Sequence, residues 1–160
     1  MNRFVSFTLF LLLLLPALSL AADGISFNSK AEVERQMYDG DGKPELVREQ
    51  AILLEPGEVA IYTNSFTNNT PEAASDLVIN NPIPANTEYL AGSATESGYE
   101  LTFSIDGGKT FAPAAQLTVA DGKGGEVPID PKEYTNIRWK LLTPLQPGES
   151  GMVEFRVRVK

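Results

Sequence analysis

The chain has 160 residues, with 13 basic against 21 acidic side chains, a formal net charge of −8, no cysteine and no histidine. The missing side chains exclude disulfides, thiol nucleophiles, Ser-His-Asp triads and histidine-based zinc, copper or iron sites. Carboxylates, Lys, Tyr, Ser and hard cations held by oxygen remain for any chemistry. The acidic balance argues against a nucleic-acid partner, whose phosphates need clustered Lys and Arg.

The chain opens with Arg3 and then an almost wholly apolar run over residues 4–20, centred on Leu11-Leu12-Leu13-Leu14-Leu15 and broken by Pro16. Ser19-Leu20-Ala21 places small residues at the −3 and −1 positions of a cleavage site. This order reads as a secretory signal peptide over residues 1–21, cleaved after Ala21. As a membrane anchor the run is near the lower limit of about 17–25 residues, and no Lys/Arg cluster follows it. The expectation is a periplasmic or secreted product with no stable membrane insertion after cleavage. Loss of Arg3 with the leader raises the acidic excess by one.

Past the leader, 11 prolines and 13 glycines punctuate the chain and leave no convincing helix. Residues 22–45 are less patterned and read as a lead-in or edge strand with an acidic, glycine-rich turn. Strands are expected at roughly 30–37, 47–54, 58–68, 75–81, 87–94, 99–105, 110–119, 136–142 and 151–160. The period-two signal is clearest at the end, where Val153, Phe155, Val157 and Val159 alternate with Glu154, Arg156, Arg158 and Lys160. Ile137, Trp139 and Leu141 alternate with Arg138 and Lys140 in the same way, which puts the sole tryptophan in the core. The competing use of Trp139 is a sugar-stacking platform shared with Tyr62, Tyr89, Tyr99, Tyr134 and Phe103.

Turn chemistry separates these runs. Asp106-Gly107-Gly108-Lys109 is expected to close a tight hairpin, because Asp-Gly and Gly-Gly tolerate positive φ. Pro56-Gly57-Glu58 and Pro147-Gly148-Glu149 each follow a leucine by two positions and precede a strand. Asp121-Gly122-Lys123-Gly124-Gly125 reads as a flexible loop. Short strands at this spacing without helices predict a single all-β domain over residues 46–160, an antiparallel β-sandwich.

The run Pro56 through Asn68, the run Leu77-Val78-Ile79-Asn80-Asn81-Pro82-Ile83-Pro84 with Thr87 to Ala94, and the closing Leu145-Gln146-Pro147-Gly148-Glu149 through Phe155 resemble a bacterial conserved-repeat domain of unknown function, the eleventh in that named series. The resemblance covers roughly residues 38–160. It implies an immunoglobulin-like exported module with no known catalytic residue and no settled ligand. Such units often stand in wall-anchored tandem arrays; one unit without an anchor signal argues against a stalk role. Ala60, Tyr62 and Phe66 match inward positions of the family, whereas Asn64 replaces an apolar residue. A buried Asn needs hydrogen-bond partners or costs about 1–3 kcal/mol, unless a bulge turns it away or the inward face is misassigned.

One cluster suggests a ligand. In Asp39-Gly40-Asp41-Gly42-Lys43-Pro44-Glu45, the carboxylates of Asp39, Asp41 and Glu45 could offer oxygens to Ca²⁺. The loop fails as an EF-hand: Lys43, Pro44 and Gln50 stand where an acid, a glycine and the bidentate Glu belong. The competing reading is an acidic turn between strands. The expected function is therefore a non-catalytic binding or assembly module of the bacterial envelope, using no cofactor and contacting an envelope or extracellular protein through sheet edges and loops. The alternatives are a calcium-dependent adhesion module using Asp39, Asp41 and Glu45, and a secreted carboxylate-dependent hydrolase.

Overall fold

The computed structural model describes residues 24–160, so the leader read over residues 1–21 lies outside the described residues. The described chain is all-β and antiparallel. Ten strands form: β1 (Ile25–Tyr38), β2 (Pro44–Gln50), β3 (Val59–Asn68), β4 (Val78–Pro82), β5 (Thr87–Tyr89), β6 (Tyr99–Ser104), β7 (Thr118–Ala120), β8 (Glu126–Pro128), β9 (Asn136–Leu141) and β10 (Ser150–Val159). They pair as a five-stranded sheet in the order β2-β1-β3-β10-β5, a three-stranded sheet β4-β9-β6 and a β7-β8 hairpin. Among the described residues no helix is long and apolar enough to cross a membrane.

The two larger sheets share one hydrophobic core. Phe66 from β3, Val153, Phe155 and Val157 from β10 and Tyr89 from β5 pack with Ile79, Ile137, Trp139 and Phe103 from the smaller sheet. Trp139 is fully buried, its ring 5.9 Å from that of Phe155, and its Nε1–H donates to the Thr95 carbonyl at 2.9 Å. A buried indole thus has both its apolar body and its one donor satisfied. Tyr62 stacks on Phe155 at 5.3 Å. At the opposite end of the core Phe103 stacks on Tyr134 at 4.5 Å and lies 5.4 Å from Tyr89. Gly151 lies under Phe66, where a Cβ would run into the ring.

The repeated leucine–proline–glycine turn is one device used twice. At Pro56-Gly57 and at Pro147-Gly148 the glycine adopts positive φ, +94° and +75°, as a type II turn after proline requires. In each, the closing glutamate donates its N–H back across the turn, Glu58 to Glu55 and Glu149 to Gln146. Its carboxylate then accepts the first residue's N–H, at 2.7 Å from Glu55 and 2.8 Å from Gln146. The leading leucines, Leu54 and Leu145, pack on the core.

Several strand expectations need correction. The run expected at 110–119 is strand only at its end, where β7 begins at Thr118: Asp106 Oδ1 accepts the N–H groups of Lys109 and Thr110, Pro113 has no N–H to give, and residues 114–116 form a 3₁₀ turn. The Asp-Gly-Gly hairpin closes through a single bridge between Phe103 and Ala112. Residues 121–125 form a turn closed by the Asp121 N–H donating to the Gly125 carbonyl. Asp121 Oδ1 accepts from Lys123 and Gly125, joining β7 to β8 with Val119 opposite Val127. The strand expected over 87–94 stops at Tyr89. Beyond it the Ser93 and Thr95 hydroxyls accept the Arg156 and Glu154 N–H groups in place of backbone carbonyls. The strand expected over 47–54 ends at Gln50. Both β2 and β3 run antiparallel to β1, so residues 51–58 must cross β1 to join them, and Val33 is buried there.

Candidate functional site

β1 is twice the length of its hairpin partner, and that mismatch creates the most distinctive surface of the molecule. The turn after Tyr38 sets the register, with Tyr38 opposite Pro44 and Glu32 opposite Gln50. β3 pairs with β1 over residues 25–33, whereas β2 reaches only residues 32–38. Among the described residues, 25–30 therefore pair on one side only. The segment read as a lead-in or edge strand is an inner strand in its second half and an open edge in its first, and the line drawn between residues 45 and 46 falls inside β2.

Backbone hydrogen bonds alternate sides along a strand, and two of them fix the sense here. Asn69 donates to the Gly24 carbonyl on the β3 side, and Ala51 donates to the Ala31 carbonyl on the β2 side. Even-numbered residues of β1 therefore turn their polar groups to β3, while Ile25, Phe27 and Ser29 turn theirs into the open lane. The side chains match an accessible edge: residues 26–30 are all exposed, and Phe27 is 55% exposed although its side of the sheet is the core side. The smaller sheet covers β3, β10 and β5 but stops short of Phe27. At the head of the lane, where β2 ends, Ser29, Lys30, Ala31, Glu32, Gln50 and Ala51 line a notch of about 350 Å³.

On the outer face, three strands are tied by charge across β3. Arg156 on β10 grips Glu34 on β1 with two bonds, 2.8 and 3.0 Å. Arg48 on β2 reaches Glu154 on β10 at 2.7 Å and Glu34 at 3.3 Å. The Arg156 hydrogen bond, opposed by partial desolvation, holds the Glu34 carboxyl below the usual carboxylate range and raises Arg156 in turn. Ile61 and Thr63 lie buried beneath this lattice.

The calcium-candidate residues fall in the β1–β2 turn. Asp39 Oδ1 accepts the N–H groups of Asp41 at 2.9 Å and Lys43 at 2.8 Å, so that oxygen closes the turn. Glu45 is carried on β2 opposite Met37. Among the described residues no group of three or more Asp or Glu side chains gathers where it could hold a metal ion. Of the aromatic residues considered for a sugar platform, Trp139, Tyr89, Tyr134 and Phe103 are buried in the core. Tyr99 and Leu101 join Tyr89, Phe103 and Tyr134 around a groove of about 470 Å³ with Glu96 at its side.

Asn64 does face inward, as its place in the strand requires. It is fully buried between Ser29 and Val153, and neither side-chain polar atom has a partner among the described residues. Asn68, four residues on, is equally buried but fully used. Its Nδ2 donates to the Glu72 and Leu145 carbonyls, and its Oδ1 accepts from the Thr70 N–H and hydroxyl. The open lane was missed in the sequence, although Ile25 and Phe27 alternating with Ser26 and Asn28 carried a short period-two signal. Compared with known proteins, the chain matches no family model, no curated protein and no solved structure, so the resemblance to the conserved-repeat domain rests on its motifs alone.

Proposed function

We propose that this chain is a non-catalytic, exported, immunoglobulin-like β-sandwich module of the bacterial envelope that binds or assembles by accepting an extended strand along β1. The observation that carries the reading is the one-sided pairing of residues 25–30 among the described residues. Strand addition needs a row of unused N–H and C=O groups, and those of Ile25, Phe27 and Ser29 form one. Among the described residues the other edges of the two larger sheets are interrupted, β6 by the bridge from Phe103 to Ala112. β2 carries Pro44, Glu45, Arg48 and Glu49, β4 ends in Pro82, and β5 is three residues long. The leader signature supports export, and the two sheets closing over Trp139 support the sandwich.

Ser29→Pro tests the reading without touching the pairing to β3, because the Ser29 N–H points into the lane. The mature wild-type chain, immobilised and exposed to native envelope extract, should retain a partner that the Ser29→Pro chain releases. Equal recovery by both chains removes strand addition at β1.

A further inference from the structure

We propose that the strand laid along β1 belongs to a second copy of this chain, the two lanes pairing antiparallel about a two-fold axis at Phe27. The proposal rests on the strand-addition reading and names its partner. Three observations select a second copy: register, lane length and charge.

Register comes first. Because the lane-facing groups are those of odd-numbered residues, a symmetric antiparallel pairing must set odd against odd. An axis at Asn28 would bring Gly24 opposite Glu32 of the second copy, a place already held by that copy's own Gln50. Moving the axis to Phe27 sets Gly24, the first described residue, opposite Lys30, two residues short of Glu32. Ile25 then faces Ser29, Phe27 faces Phe27 and Ser29 faces Ile25, so every free lane-facing group between Ile25 and Ser29 finds a partner. The lane length a second copy can use and the length it offers are the same, because β2 closes both at the same residue.

Charge points the same way. The chain carries 21 acidic residues, so most surfaces of two copies would set acid against acid. Residues 24–31 hold no acid and a single cation, Lys30. Across the two-fold axis Ser26 meets Asn28 and Gly24 meets Lys30, and no like charges stand opposite. The exposed Phe27 rings meet at the axis, giving the pair an apolar centre. So short a ladder is a small interface, and the dimer is weak and concentration-dependent. Its product is one continuous sheet made from the two five-stranded sheets.

The chain lacks cysteine, so single engineered cysteines report the register without background. Directly paired Cα atoms lie about 4.5–5.5 Å apart, within disulfide reach, whereas positions offset by two residues or more do not. The mature chain is examined by sedimentation equilibrium across concentration, beside Phe27→Cys, Ser26→Cys and Asn28→Cys chains oxidised with diamide. The expected result is a mass rising toward twice the monomer, a disulfide dimer from Phe27→Cys alone, and a dimer from Ser26→Cys mixed with Asn28→Cys but from neither separately. Wild-type mass unchanged at every concentration, or cross-linking indifferent to position, overturns the self-pairing. A monomer that still captures an envelope partner in a Ser29-dependent way overturns self-pairing alone and leaves strand addition standing. A chain that neither pairs nor captures overturns both.

Discussion

β10 and β1 flank β3 on either side and are paired with it over stretches of equal length, yet they live in different environments. On β10 the inward residues Val153, Phe155 and Val157 are fully buried. On β1 the inward-side residues Phe27 and Ser29 are exposed, and Val33 is buried where residues 51–58 cross. Ladder hydrogen bonds are common to both strands, so they do not decide burial; the second layer does. The smaller sheet lies over β10 and leaves Phe27 and Ser29 bare, while Ile25 at the start of β1 still packs on the core. Stability is concentrated on the β10 side and availability on the β1 side.

The widest separation between the two regions should appear on truncating an aromatic residue in each. Trp139→Ala removes the centre of the covered core and should cost about 3–5 kcal/mol in urea unfolding. Phe27→Ala should change stability by no more than about 0.5 kcal/mol, as for an exposed side chain. Comparable losses at both sites would mean that β1 is covered by something other than solvent.

Within β3, the two buried asparagines sharpen the contrast. Asn68→Ala orphans the Thr70, Glu72 and Leu145 groups it serves and should destabilise by about 2–3 kcal/mol. Asn64→Leu removes two polar atoms that have no partner and should be neutral or stabilise by up to about 2 kcal/mol. The same urea titration checks both, and a loss at Asn64→Leu as large as at Asn68→Ala would show that Asn64 is satisfied after all.

A smaller effect follows acid. Glu34 is held down chiefly by Arg156, and Asp106 by the Thr110 N–H with help from the Thr110 and Ser104 hydroxyls. Both carboxyls have folded values below their unfolded values of about 4. Their contribution is therefore complete above that pH and is lost progressively as pH falls below it through the lower folded values. Tm should decline below about pH 4, and the decline should be shallower in Glu34→Gln, whose lattice position ties β1 and β2 to β10. An unchanged slope in that variant would remove Glu34 from the account.

How much was legible follows from how each element is specified. Strands that carry their own alternation between two faces, β9 and β10 above all, lie within a residue or two of where the sequence places them. Trp139 was legible for the same reason. The repeated Leu-x-Pro-Gly-Glu was legible as a turn because Pro and Gly set φ locally, although the glutamate's back-capping was not. Residues 110–119 misled because Thr110, Phe111, Thr118 and Val119 at the two ends are β-formers, while Pro113 interrupts the middle and Asp106 claims the backbone donors that begin the run. The lane was hidden because its existence depends on a difference in length between β1 and β2, which the turn register fixes and no single residue announces. The acidic turn at Asp39 looked like a ligand set because the same residue types that bind cations also cap turns.

Amide hydrogen exchange along β1, measured by NMR on dilute mature protein, tests the open lane most directly. The account predicts an alternation within residues 25–30: Phe27 and Ser29 amides exchange fast, while those of Ser26, Asn28 and Lys30, bonded to β3, are protected. Uniform protection through this stretch, or uniform fast exchange, would contradict it.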